Sequence, residues 1–297
     1  MAKENREIRS GVFADLFCDD EKVGKKNFLS LYNAIHGTDL KLEETEIENK
    51  RIPQSLFKTF YNDVSMLING KLIVLIEHQS TPNQNMPLRC LEYYVHLLYG
   101  IIPSKARYKD ELYKIPTPEF YVFYNGKRKT KKEYVMKLSD AFIEAQTEPL
   151  CEVKVHFTNI GGNDGLNLPI VQNCDILKQY CELMEIVFRY KAEMANKPAE
   201  NDLKGCYHKA IKEAVSRNIL VDYLTRKGTE VENMFIGEYD YDLDMQVKAE
   251  EAVERKAIED ATNALKLGLS TEQITAITSL PEEKVLELKA HLESEKA

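Results

Sequence analysis

The sequence predicts a mixed α/β core, a small sheet with helices packed around it, followed by a separate α-helical tail. Three observations carry that prediction. Strand-like alternation is confined to the middle of the chain, helical spacing of apolar residues holds before and after it, and the acidity gathers at the end. At 297 residues the chain exceeds one average domain, so one large core (1–235) with a smaller appendage (236–297) is expected.

Val12–His36 carries Phe13, Leu16, Phe17, Phe28, Leu31 and Tyr32 near helical spacing and reads as a helix, with Gly24 a point of interruption. Thr38–Arg51 is a charged connector. The stretch Asn62–Gln79, NDVSMLINGKLIVLIEHQ, reads as two short strands joined at Asn69-Gly70. The Pro/Asn loop STPNQNMP then sets up a helix over Leu88–Ile102, with Arg89, Tyr93 and His96 along one side. TPEFYVFYNG (117–126) is a strand ending in an Asn-Gly turn, and Leu150–Ile160 alternates with Val153, Val155 and Phe157 on one side. From Asp175 onward the pattern is helical, one stretch being closed by Gly228 as a C-cap. In the tail, Tyr239–Lys266 reads as a long charged helix. Ser270 with Gln273 fits a capping box, and Leu280-Pro281 fits the start of a second short helix with Pro at its first position, giving a helix-turn-helix outline.

A hydrophobic content of 43% suffices for a packed interior, and no run of 18 apolar residues exists to span a membrane. The start, MAKENREIRSGVF, lacks the apolar core of an export signal. The cysteines at 18, 90, 151, 174, 181 and 206 show neither a CxxC pair nor zinc spacing, which fits reduced thiols in a cytoplasmic protein. The net charge of −8 belongs to residues 238–297, which hold 15 acidic and 7 basic side chains; the rest of the chain holds 33 of each. A basic groove on the core is therefore compatible with an acidic chain.

Asp63 opens the first strand of the 62–79 hairpin, and Glu77 and Gln79 close the second. Carboxylates at the end of a hydrophobic hairpin are costly to desolvate, and a divalent cation is the simplest compensation. Magnesium takes one or two carboxylates together with water and phosphate oxygens, which Asp63 and Glu77 supply. Such a cation lowers the pKa of an attacking water and neutralises a scissile phosphate, the layout of a phosphodiesterase. Gln79 offers a hydrogen bond to water without charge, and Arg89 offers the positive charge to phosphate. A strict two-residue turn at Asn69-Gly70 would set Asp63 opposite Ile76, away from Glu77's face, so this reading expects a bulge or a longer loop.

The segments VFADLF…FLSLYNAI, YNDVSMLINGKLIVLIEHQST, MPLRCLEYY and PEFYVFYNGKRK, with the tail GLSTEQITAITSLPEEKV, resemble the recombination-promoting nuclease (Rpn) family of transposase-like proteins, within the PD-(D/E)xK nuclease superfamily. The similarity covers most of residues 10–180 and the last 30. It implies a restriction-endonuclease-like core and magnesium-dependent cleavage of DNA, with manganese as a substitute cation and a link to recombination or transposition. Carried over by residue, it implies Asp63 and Glu77 as metal ligands and Gln79 as the residue orienting the water. Asp15 would approach the metal from a second side, and Arg89 and Tyr93 would hold phosphate and structure the site. Gln79 stands where the superfamily pattern has Lys.

Other features have two readings. His78 falls on the opposite face of its strand from Glu77 and Gln79 and reads as a core or surface residue. Lys127–Lys132, KRKTKK, is either a solvated turn or a track for a DNA backbone. The C-terminal helix pair begins its second helix with acids, which favours packing or self-association over DNA reading. Gly161-Gly162 lacks the Gly-Lys-Ser/Thr of a nucleotide loop. The rival to the nuclease is a catalytically silent DNA-binding or oligomeric scaffold protein that keeps the fold.

Overall fold

The computed structural model describes the backbone of residues 11–18, 21–50, 63–78, 82–126, 130–195 and 203–294; within these, the side chains of residues 21, 63, 75–78, 195, 237–252, 254, 290, 291, 293 and 294 lie outside the described set. The chain divides into two units, Met1–Glu238 and Tyr239–Ala297. The first is α/β, built on one six-stranded mixed sheet.

Its strands are β1 (Ile47–Asn49), β2 (Asp63–Ile68), β3 (Lys71–His78), β4 (Thr117–Tyr124), β5 (Glu133–Lys137) and β6 (Lys154–Asn159), in the spatial order β1-β2-β3-β4-β6-β5. β3, β4 and β6 run parallel, while β1, β2 and β5 pair antiparallel at the two flanks. β4 shows why it lies inside the sheet. Phe120, Val122 and Tyr124 are buried on one face and Phe123 on the other, the nearly continuous apolar run of a strand covered on both sides.

One face carries α3 (Met86–Ile101), whose Met86, Cys90, Tyr93 and Leu97 recur at helical spacing against Leu72, Val74, Phe120, Val122, Tyr124, Val155 and Phe157. The other face packs Val64, Met66, Ile68, Ile73 and Phe123 against α1 (Val12–Cys18), α2 (Glu21–His36), α6 (Asp175–Ala195) and α7 (Leu203–Ser216). Phe13 of α1 anchors this layer, its ring centroid 5.9 Å from Phe123 and 5.5 Å from Tyr180. Two short helices, α4 (Gly162–Leu166) and α5 (Pro169–Gln172), link β6 to α6.

Three sequence expectations are corrected. Val12–His36 forms two helices rather than one, and Gly24 lies inside the second. A Cβ at Gly24 would stand 3.2 Å from the backbone of Phe17 and Cys18, so the glycine serves close helix packing. The helical stretch expected to end at Gly228 instead ends at Ser216. Asn218 (φ 60°) and Leu220 (φ 47°) turn the chain into α8 (Val221–Lys266), which runs through Gly228, departs from helical angles only at Lys227, and stops before Gly268 (φ 84°). The charged connector 38–51 also contains β1, and β5 follows directly after the basic run 127–132, where no strand was expected.

In the second unit, the end of α8, α9 (Thr271–Thr278) and α10 (Glu282–Ser294) close over Ala261, Ile274, Leu280 and Val285. The Ser270–Gln273 capping box forms in both directions, as the sequence predicts, and Pro281 immediately precedes α10. Among the described residues no helix is long and apolar enough to cross a membrane.

Candidate active site

Glu77 sits one residue before the end of β3, where its backbone pairs with Phe123 of β4 in the parallel ladder. Asp63 opens β2. The hairpin between them is regular: Asn69 (φ 46°) and Gly70 (φ 79°) both take the positive φ of a two-residue type I′ turn, and the ladder runs from Ile68↔Lys71 to Asp63↔Ile76. The expected bulge is therefore absent between 63 and 78. Because strand positions alternate faces, Asp63 shares its side with Ser65 and Val74, and Glu77 shares its side with Ile73 and Phe123. Gln79 lies outside the described residues, as do Lys127, Arg128 and Lys129 of the basic run. Lys131 and Lys132 are exposed, and Lys132 Nζ lies 3.1 Å from Asp164.

Asp15 is buried on α1, two residues from Phe13. Its carboxylate is held within the protein: the Tyr223 hydroxyl donates to Oδ2 at 2.6 Å, and Lys227 Nζ lies 3.0 Å from Oδ1 and 3.2 Å from Oδ2. To ligate a cation, Asp15 would have to exchange these bonds for metal coordination. Arg89 is half-buried in the first turns of α3, with a guanidinium nitrogen 3.6 Å from Met86 Sδ. Tyr93 is a core residue of the α3 layer, its hydroxyl 3.5 Å from Ser65 Oγ.

Sequence reading missed the polar groups that gather where β4 and β6 end. Asn125 directly follows β4. It is 1% exposed, and neither its amide nitrogen nor its carbonyl oxygen has a hydrogen-bond partner. Gly161 closes over it, for a Cβ there would stand 3.1 Å from Asn125 Oδ1 and 3.5 Å from Asn159 Oδ1. Asn159 Oδ1 accepts from Gly161 N–H at 3.1 Å, and Glu185 accepts from Gly162 N–H at 2.8 Å. The signal in the sequence was Asn125 itself, a polar residue after five apolar or aromatic ones (Phe120–Tyr124) and there read only as half of a turn.

Nearer the start of the same strands lies a second polar cluster. Glu119 accepts from Lys71 Nζ at 2.7 Å, from Tyr121 at 3.0 Å, and contacts His36 Nε2 at 2.7 Å. Burial alone would raise the Glu119 pKa, but the bonds from Lys71, His36 and Tyr121 outweigh it and hold the carboxyl below its ordinary range. Burial first, and then the Glu119 charge, push the Tyr121 phenol above its ordinary value. With its carboxylate saturated by three donors, this cluster ties α2 to the sheet rather than presenting a free acid.

Among the described residues no three His, Cys, Asp or Glu side chains gather as a metal cage. By backbone register, Glu77 near the end of β3 and Asn125 just past the end of β4 both lie toward the carboxyl edge of the parallel strands. No family model, curated protein or solved structure matches the chain.

Proposed function

We propose that this chain is a DNA endonuclease that hydrolyses phosphodiester bonds with a magnesium-activated water, in recombination or transposition of DNA. The observation that carries this reading is the place of Glu77, an acid near the carboxyl end of a β-strand paired in parallel with its neighbour, where open α/β sheets hold their ligands. The motif resemblance across the hairpin and α3 supplies the chemistry. Bound magnesium, or manganese in its stead, supplies an activated water and neutralises charge on the phosphate. Glu77 holds the cation, Gln79 orients the water, and Arg89 holds a phosphoryl oxygen, the positive charge that the Gln-for-Lys exchange removes. Asp63 joins this centre only if β2 shifts its register at the open end.

That register supports a second reading. A ladder that sets Asp63 and Glu77 on alternate faces, together with an Asp15 already bonded to Lys227 and Tyr223, fits a catalytically silent DNA-binding scaffold. Incubating supercoiled plasmid with the protein in magnesium, manganese, calcium and EDTA, beside Glu77→Ala, separates the two. Metal-dependent nicking lost in the variant establishes the nuclease; DNA binding without nicking in any metal establishes the scaffold. In the same reading the acidic tail serves self-association, so removing residues 238–297 lowers the mass seen by light scattering.

A further inference from the structure

We infer that β5, the strand at one edge of the sheet, pairs with β5 of a second copy of this chain about a two-fold axis through Val135, joining two six-stranded sheets into one. Among the described residues β5 is bonded on one side alone, to β6. Two flanking bonds fix which backbone groups that ladder uses: Asn159 N–H donates to Lys132 C=O at 2.7 Å, and Leu138 N–H to Val153 C=O at 2.9 Å. In an antiparallel pair such bonds recur at every second residue. Tyr134 and Met136 therefore turn their N–H and C=O to β6, while Glu133, Val135 and Lys137 turn theirs to the open edge. A row of this kind is a template for another strand.

The side chains indicate which strand. Glu133, Val135 and Lys137 share one face and are all exposed, whereas Met136 packs into the α3 layer. Antiparallel pairing centred on Val135 sets Glu133 opposite the partner's Lys137 and Lys137 opposite the partner's Glu133, two ion pairs from one axis. Parallel pairing in register would set Glu against Glu and Lys against Lys, and a slip of two residues would set a charge opposite Val135. The charges that guard this edge against indiscriminate pairing thus admit the two-fold one. Val135 also ends a row across the sheet. It stands opposite His156 of β6, which stands opposite Tyr121 of β4, the two rings stacked at 5.3 Å. His156 is exposed and Val135 is 44% exposed, so the row stops at solvent. The two-fold pairing continues it into the same row of the second copy. β1, at the opposite edge, holds only three residues, and its own two-fold pairing would set Glu48 against Glu48. A ladder as short as β5 makes a concentration-dependent association rather than a permanent one.

The test uses the full chain, with mass followed by sedimentation across a concentration series. Wild type passes from monomer to dimer. Glu133→Lys and Lys137→Glu each bring like charges together at both ends of the ladder, and each raises the dimer dissociation constant by about tenfold or more. The double reversal, Glu133→Lys with Lys137→Glu, restores association, which a purely local effect of either charge would not do. Crosslinking is the second arm, in a Cys151→Ser background that removes an exposed thiol. Val135→Cys there links two chains under mild oxidation, because opposed residues that bond to each other lie about 5.5 Å apart at Cα, within disulfide reach. Glu48→Cys on β1 does not. A wild type that stays monomeric at every concentration overturns the inference and leaves the edge to a strand of another protein. Association unchanged by the single reversals, a double reversal no better than the singles, or linkage at 48 as fast as at 135 places self-association elsewhere, the tail included, and overturns it as well. None of these readouts depends on metal or DNA, and each is therefore independent of the nuclease reading.

Discussion

Lys227 Nζ reaches Asp15 Oδ1 at 3.0 Å across a separation of 212 residues, joining the first helix of the chain to α8. The side chains are 16% and 3% exposed, so this pair sits in the interior with Tyr223 completing the carboxylate's bonds. Removing one member strands the other charge, which costs about 3–5 kcal/mol. Asp15→Ala is expected to lower the melting temperature by about 10 °C at this size of domain, and Asp15→Leu with Lys227→Met to recover most of that loss. Thermal unfolding checks the first outcome and the double variant checks the second. Manganese affinity separates this structural role from a metal role: it stays unchanged in the recovered double variant if Asp15 only pairs with Lys227.

Glu119 makes the tie between α2 and the sheet pH-dependent. Its carboxyl is held low in the folded protein chiefly against burial, by Lys71, His36 and Tyr121. A group whose folded pKa lies below its unfolded value, near 4.3 for Glu, contributes stability above that value and loses it as pH falls through the folded pKa. The expected result is a wild-type stability that declines below about pH 4.5 more steeply than that of Glu119→Gln. The variant should also be less stable at pH 7, by about 1–3 kcal/mol for the lost charge-assisted bonds. Urea unfolding at pH 7 and pH 4 measures both, and parallel pH profiles for the two proteins would contradict the assignment.

Parts of this fold were legible because a single residue type forces them. Asn69-Gly70 marked the joint of the hairpin, although the metal reading expected a bulge or longer loop there, and 117–124 read as a strand. Ser270 and Gln273 announced a capping box that forms. The short edge strands β1 and β5, IEN and EYVMK, were not legible because edges are kept brief and charged, which erases the alternation. Leu220 at positive φ ends no recognisable pattern, so the break between α7 and α8 left no mark. The site divides in the same way. Glu77 stood out as an acid among apolar neighbours, whereas the Asp15–Lys227 pair depends on residues 212 positions apart, which no local pattern encodes. Asn125 was hidden because Asn before Gly is ordinary turn chemistry.

Gly165 fixes how the chain leaves the site. A Cβ on it would collide with the carbonyl group of Ile160, whose N–H donates to the Tyr124 carbonyl at the end of β4 at 2.8 Å. Neither partner can yield without moving the edge that carries Asn125. Gly165→Ala should therefore destabilise by about 3 kcal/mol or more, well beyond the usual cost of an added methyl in an open position. Chemical denaturation gives the size of the effect. A change below about 1 kcal/mol would show that α4 rides freely over Ile160.

The exposed end of the basic run tests the nucleic-acid reading independently of any metal. Lys131 and Lys132 lie beyond β4 and before β5, on the side of the sheet where β4 and β6 finish, and Lys132 already faces Asp164 at 3.1 Å. If the run follows a DNA backbone, each lysine in contact neutralises one phosphate and contributes about 0.9 to the slope of log affinity against log salt. Lys131→Gln with Lys132→Gln should then flatten that slope by about 1 to 2 units and weaken binding most at low salt. Asp164→Asn should act the other way, since it frees Lys132 for phosphate. Binding of a fluorescent duplex in EDTA, across a salt series, reports this without cleavage. An unchanged slope in the double variant identifies the run as a solvated turn and moves the DNA-binding face elsewhere on the core.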